Sequence, residues 1–241
     1  MDTLIDFLAE ARSAHQRNDW GASYAAFVRA DELGPMPTDD LEAYSAAAWR
    51  IGRGSEAVRL AERAYDRLVR TDPAAAAMKA AELGLGWHAR SHEAVSRPWA
   101  DRARGLLAGG PAGGIHGYLA YLDAVTALDV GDTARAMRAA AALRDTAAGM
   151  ADATLSVLAT VIDGVTAMLE SRVAEGYRLL DDALLPMLDE HVPLEWAGDV
   201  YRLVLRPVGE ADAQHRAAWA ESLQRWVVVT RVVIDIDARQ R

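Results

Sequence analysis

Residues 52–65 read Gly-Arg-Gly-Ser-Glu-Ala-Val-Arg-Leu-Ala-Glu-Arg-Ala-Tyr, a stretch that predicts a turn followed by the start of a helix. Gly52 is suited to end one helix, and Ala57, Ala61 and Ala64 then place small side chains three and four residues apart. Small side chains on one face let a neighbouring helix approach closely. The stretch therefore predicts two helices that pack against each other across a short turn.

The same pattern recurs at residues 18–30, 91–103, 131–143 and 171–183. The small residues aligned at the helix crossing are Ser23, Ala57, Ser96, Ala136 and Gly176. Seven positions later stand Ala30, Ala64, Ala103, Leu143 and Ala183, with spacings of 34, 39, 40 and 40 residues between them. A repeat of this length predicts an all-α stack of about six antiparallel helix pairs.

Apolar periodicity, glycines and prolines together predict the helix boundaries. The expected spans are about 2–17, 20–33, 39–51, 55–70, 74–90, 92–107, 115–128, 132–148, 150–169, 173–185, 192–205 and 210–226. Asp39 and Glu42 have the spacing of a capping box at the start of the third helix. Pro73 fits the first turn of the fifth helix, and Pro98 is expected to kink the sixth or to move its start to near Arg97.

The stretch Gly-Gly-Pro-Ala-Gly-Gly at residues 109–114 is the predicted connector between two halves of the stack. Helical repeats are expected over residues 1–108 and again over residues 115–226. Residues 227–241 begin with a β-branched, apolar run that differs from the alanine-rich repeats. We expect this tail to be a terminal cap, because an open stack needs its last groove covered, or else an exposed arm that joins two copies into a homodimer.

The composition of the chain argues against several classes of protein. A net charge of −9 and a pI of about 5.2 argue against nucleic-acid binding driven by counterion release. The absence of cysteine excludes disulfides, thiolate metal sites and thiol nucleophiles. The N-terminus carries acids where a signal peptide would carry positive charge, and no apolar run approaches the roughly 20 residues of a membrane span. A cytoplasmic protein with no membrane partner is the expectation.

The first unit fits the consensus positions of a known repeat, with Phe7, Ala11, Ala14, Ser23, Phe27, Ala30 and Pro35. In this unit the chain resembles the tetratricopeptide repeat, whose period is about 34 residues. The later units are longer and lack the closing proline, so the resemblance is to a tetratricopeptide-like repeat. It implies a right-handed superhelix of antiparallel helix pairs.

A second resemblance covers roughly residues 40–226. It rests on the phrases Glu56-Ala57-Val58, Glu62-Arg63-Ala64-Tyr65, Trp99, Arg102-Ala103-Arg104-Gly105-Leu106-Leu107, His116-Gly117-Tyr118-Leu119, Arg172–Ala183, Ala197–Tyr201 and Arg225-Trp226. Together they resemble the helical-repeat region of actinobacterial LuxR-family transcription regulators. Those regulators carry a helix-turn-helix domain at their far end, whereas this sequence stops before one. The resemblance therefore implies a sensor or scaffold region without direct DNA binding.

The first helices of the pairs are expected to line the concave face of the stack, where a ligand would bind. Indole and phenol rings suit planar ligands or peptide side chains, although core packing explains the same residues. The predicted groove residues are Tyr44, Trp49, Trp87, His88, His116, Tyr118, Tyr121, Asp123, Asp163, Trp196, Tyr201, Arg202 and Arg206, with Lys79, Glu82 and Asp199 on the same helices.

The sequence contains few residues in the patterns of known metal or catalytic sites. His88 and His92 have the four-residue spacing of a zinc motif, but a predicted turn separates them and the expected downstream glutamate is missing. No serine lies in a nucleophile elbow. Acid–base chemistry by Asp123, Asp163 and His116 requires that they converge, which a sequence does not show. We therefore predict no metal and no cofactor, and leave enzymatic activity open.

Two functions follow from these observations. The first is a non-enzymatic sensor or adaptor that binds a peptide, a protein or a small effector in its groove, in the context of transcriptional regulation. The alternative is a small-molecule enzyme of the cyclase or acid–base type, or a binding protein, in a specialised-metabolite pathway. An open polar groove would favour the first function, and a deep apolar cavity would favour the second.

Overall fold

The computed structural model describes residues 3–110, 113–187, 194–205, 215, 217–221 and 224–225. Over these residues the chain is all-helical, as predicted, and no helix there is long and apolar enough to cross a membrane. The helices in the described ranges are α1 (Leu4–Gln16), α2 (Trp20–Leu33), α3 (Thr38–Arg50), α4 (Gly54–Thr71), α5 (Pro73–Ala89), α6 (Glu93–Leu107), α7 (Gly114–Asp129), α8 (Thr133–Met150), α9 (Ala153–Leu169), α10 (Val173–Met187) and α11 (Leu194–Leu205).

Consecutive helices pack as hairpins among α1–α10, which confirms the predicted pairing for these helices. In the first half of the chain α1 packs on α2 and α3 on α4; later α7 packs on α8 and α9 on α10. Helix α9 also contacts α7 and α8, so one hairpin stacks on the next. Contacts divide the chain into two compact units, one containing residues 1–79 and the other residues 80–224. The division falls within α5, and the predicted connector at 109–114 lies in the second unit.

Five of the hairpins turn in the same way. The residue at the turn is left-handed in each, with φ of 56° at Asn18, 80° at Gly52, 62° at Ser91, 73° at Gly131 and 63° at Ser171. The next amide donates to a carbonyl five residues back, as Arg53 does to Ala48 (2.9 Å) and Asp132 to Ala127 (2.9 Å). This hydrogen bond belongs to the Schellman helix ending. Each left-handed residue lies five positions before the small residue at the helix crossing. The turns therefore recur along the chain at the same intervals as those small residues.

Small residues face each other where the two helices of a hairpin cross. Gly176 of α10 lies against Gly164 of α9, so closely that a Cβ at position 176 would come within 2.9 Å of the Gly164 carbonyl oxygen. In an earlier hairpin, Ser96 lies against Gly84 and its hydroxyl donates to the Gly84 carbonyl at 2.8 Å. The residue seven positions after the crossing is buried in every hairpin, from Ala30 to Ala183. The predicted crossing residues therefore do set the helix spacing.

Several helix boundaries differ from the prediction. The capping box predicted at Asp39 and Glu42 is wrong, because α3 begins at Thr38 and has no side-chain cap. Pro98 lies inside α6 without moving its start, which is at Glu93. Pro73 is the first residue of α5, as predicted. The predicted terminal cap or arm at 227–241 and the groove residue Arg206 lie outside the described residues.

Candidate functional site

Three aromatic residues predicted for the ligand groove are packed together in the second unit. The Tyr118 and Trp196 rings lie 4.5 Å apart between centroids, and Tyr121 meets Trp196 edge-on at 5.8 Å. Their exposed fractions are 6%, 1% and 0%, and Tyr201 beside them on α11 is also buried. These rings join α7 to α11 as core, so their geometry accounts for packing and leaves no ring face open to a ligand.

Tyr121 also belongs to a polar cluster, defined here as His88, Tyr121, Asp129, Asp199 and Arg202, in which Asp129 and Arg202 are only partly buried. The Asp199 carboxylate accepts from the Tyr121 hydroxyl at 2.9 Å and from Arg202 Nε and Nη2 at 2.8 and 2.6 Å. Burial, helped by the Asp199 charge, raises the pKa of Tyr121 well above its usual value. The phenol therefore stays neutral and remains a hydrogen-bond donor to the carboxylate.

His88 reaches this cluster from α5. Its Nε2 lies 3.2 Å from Asp129 Oδ2, close enough for an ion pair but without the alignment of a hydrogen bond. Burial lowers the pKa of His88, and the charges of Asp199 and Asp129 oppose that effect only in part. The imidazole is therefore neutral at pH 7.

The burial of His88 makes stability depend on pH. The folded pKa of His88 lies below its unfolded value of about 6.5. The stability gained from keeping this imidazole neutral is therefore complete above about pH 6.5 and is lost as the pH falls through the folded pKa. We expect the free energy of unfolding, measured by urea denaturation, to decrease from pH 7 to pH 5, with a slope of up to about 1.4 kcal/mol per pH unit for one proton. His88→Asn should flatten this dependence, whereas an unchanged slope would show that His88 does not titrate. His15 acts in the same direction, through burial and the Arg50 charge, and so leaves a residual slope.

Two other groove residues, Tyr44 and Trp49, belong to the first unit. Tyr44 is 3% exposed and stacks on Phe27 with ring centroids 5.5 Å apart, while Trp49 is half-buried against the same core. The Tyr24 hydroxyl next to them donates to Glu56 at 2.6 Å. Both predicted residues thus contribute to the core between α2 and α3.

The predicted acid–base residues make three separate contacts. Asp123 accepts from Arg104 at 2.7 Å, and Asp163 accepts from Arg144. Both pairs connect the second helix of one hairpin to the first helix of the next. The second pair repeats the first, 40 residues later in the chain. His116 accepts from the Gly113 amide at 3.1 Å at the start of α7. These roles are structural in each case.

The histidine pair considered for zinc is split between two elements. His88 lies on α5, whereas His92 immediately precedes α6, makes no side-chain capping hydrogen bond there and packs edge-on against Trp87 at 5.6 Å. Within the described ranges, no three histidine, aspartate or glutamate side chains come together as metal ligands would.

An open hollow lies between α8 and α10, with α9 at its base. Its volume is about 310 Å³. It is lined by Met137, Arg144, Asp163, Thr166, Arg172, Glu175 and Leu179. Of these residues only Asp163 was predicted, because the others lie mainly on second helices, which the groove hypothesis excluded. One feature of the sequence does point to Arg144: Arg104 and Arg144 are 40 residues apart, as are Asp123 and Asp163. This equal spacing indicates that each arginine pairs with one of the aspartates.

Charge in the hollow is balanced between its walls. Arg144 pairs with Asp163, and Arg172 donates to Glu175 at 2.5 Å and to Glu170 at 2.9 Å. The hydrogen bonds that Arg172 donates to Glu170 and Glu175 raise the pKa of its guanidinium. All four lining charges keep roughly a third to a half of their side-chain surface exposed. The hollow therefore presents both signs of charge to solvent.

Thr166 adds a buried polar atom to the hollow. Its residue is 1% exposed, and its hydroxyl has no hydrogen-bond partner within the protein. A buried hydroxyl without a partner costs free energy, so a ligand group that bonds to it would recover that cost. The lining of the hollow therefore combines charges of both signs with a hydroxyl that has no partner within the protein.

Comparisons with protein-family models, with curated proteins and with solved structures give no match to this chain.

Proposed function

We propose that the chain is a non-enzymatic helical-repeat sensor or adaptor that binds a small effector or a peptide in the hollow between α8 and α10. The observation that carries the proposal is the hollow itself, which is open, has charges of both signs and is lined in part by Thr166, whose buried hydroxyl has no partner within the protein. The repeated hairpins support the architecture that we propose for the whole chain, a tetratricopeptide-like superhelix. The resemblance to LuxR-family regulators suggests the regulatory setting.

Acid–base catalysis has less support from the geometry. Asp123 and Asp163 each bind an arginine, and His116 accepts from a backbone amide, so these three groups are held in different places. His88 and its neighbour Asp129 are not among the residues that line the hollow. The arrangement thus favours binding over proton transfer.

Native mass spectrometry of the full chain, purified gently from the lysate of its own host, tests the proposal. We expect the wild type to retain a small molecule or a peptide. Arg144→Gln should lose it, because that change removes a charge from the wall of the hollow. Arg104→Gln is the matched control, since it breaks the equivalent ion pair one repeat earlier, outside the hollow.

Retention of the same mass by Arg144→Gln would contradict the proposed site. Circular dichroism of both variants must match the wild type, so that loss of the ligand is not confused with loss of fold. Both arginines are about half exposed, and breaking such pairs costs only about 0–1 kcal/mol.

A further inference from the structure

The walls of the hollow combine apolar and charged surface at short range. Met137 and Arg144 lie two turns apart on α8, and Glu175 and Leu179 lie one turn apart on α10. Met137 is 46% exposed, which is high for a methionine, and Leu179 is half-buried. A ligand in the hollow would therefore meet a thioether and a leucine side chain beside the ion pairs.

The charges restrict the kind of ligand. A simple anion would be attracted by Arg144 and Arg172 but repelled by Asp163 and Glu175, and a simple cation would meet the opposite combination. A molecule with one charge of each sign can pair with the arginines and with the carboxylates at once. Guanidinium groups bind a carboxylate strongly, and each arginine here has N–H groups beyond those that its acidic partners use.

We infer that the hollow binds a free zwitterion of amino-acid to dipeptide size that carries an apolar side chain. This inference rests on the proposed function and names the ligand of the same site. The ligand carboxylate lies against Arg144 and Arg172, and its ammonium group lies against Asp163 and Glu175. Thr166 donates to the carboxylate. The apolar side chain covers the neighbouring methionine and leucine, and the volume of about 310 Å³ is at the small end of the range for ligand sites.

Isothermal titration calorimetry of the full chain tests the inference with three related probes. L-leucine has both charges, N-acetyl-L-leucine lacks the ammonium group, and L-leucinamide lacks the carboxylate. We expect saturable binding of leucine or its dipeptide, and at least about tenfold weaker binding of both blocked compounds. Equal binding of N-acetyl-leucine and leucine would overturn the zwitterion, and so would the absence of saturable binding by leucine and dileucine.

Two variants locate the binding. Thr166→Val keeps the shape of the side chain and removes the hydroxyl, so it should weaken leucine binding about tenfold. Arg104→Gln should bind leucine as the wild type does. Unchanged affinity in Thr166→Val would overturn the assigned role of its hydroxyl. If leucine fails to bind while Arg144 is still required to retain a ligand from lysate, the zwitterion is wrong and the proposed binding function stands.

Discussion

Asp199→Ala is expected to lower the free energy of unfolding by about 3 kcal/mol or more, because removing one partner of a buried ion pair leaves the other charge uncompensated. The Asp199 side chain is 1% exposed and the Arg202 side chain 19%. Without the carboxylate, the Arg202 guanidinium and the Tyr121 hydroxyl both lose their acceptor in the interior. Urea denaturation followed by circular dichroism measures the effect, and an unchanged m-value shows that unfolding exposes the same amount of surface in the variant as in the wild type.

A second arginine–aspartate pair on a single helix provides the control. Arg178 and Asp182 on α10 lie 3.3 Å apart, but both side chains are more than 60% exposed. Asp182→Ala should change the free energy of unfolding by less than about 0.5 kcal/mol, since exposed pairs within a helix contribute little. If Asp199→Ala cost no more than this control, the polar cluster would not be a stabilising part of the second unit.

Gly176→Ala is expected to destabilise the protein by about 1–3 kcal/mol, because it overpacks the crossing of α9 and α10. A Cβ at this position would overlap the Met168 side chain and lie 2.9 Å from the Gly164 carbonyl oxygen. The backbone of the facing helix cannot move aside without disturbing the hairpin. Thermal and urea denaturation of the purified variant give the magnitude.

Gly105→Ala is the matched control for that substitution. Gly105 also lies within a helix, α6, but a Cβ there would meet nothing within 4 Å. Alanine is the better helix former by up to about 1 kcal/mol, so this variant should be as stable as the wild type or more stable. A Gly176→Ala variant that was likewise stabilised would contradict the close helix crossing on which the repeat depends.

The helix pairs could be predicted because their cause is local. A left-handed residue such as Gly52 ends one helix, and a small residue such as Ala57 permits the close crossing, so both signals stand in one short stretch. The capping box at Asp39 was predicted wrongly because its spacing is met by chance inside a helix that begins one residue earlier, at Thr38. A capping box does occur at Thr3 and Asp6, where the same kind of spacing lies at a true helix start.

The candidate site could be predicted only in small part. The spacing of apolar residues predicted that Tyr121 and Trp196 lie on the first helices of their pairs. A helix face that packs on the next hairpin has the same apolar spacing as a face that lines a groove, so the sequence did not distinguish the two. The structure shows these rings inside the core. The hollow depends on the distance between α8 and α10, which is set by helix packing, so residues such as Arg172 and Thr166 give no local signal of their position.

Methionine-methyl NMR shows whether a ligand binds between α8 and α10, because Met137 lines the hollow and Met36 lies in the core of the first unit. The full chain, labelled with ¹³C in its methionine methyl groups, is titrated with leucine and with the small-molecule extract of its own host. We expect a saturable shift of the Met137 resonance, with no change at Met36, and loss of that shift in Thr166→Val. A Met137 resonance that stays unmoved under both titrations would contradict a ligand site between α8 and α10.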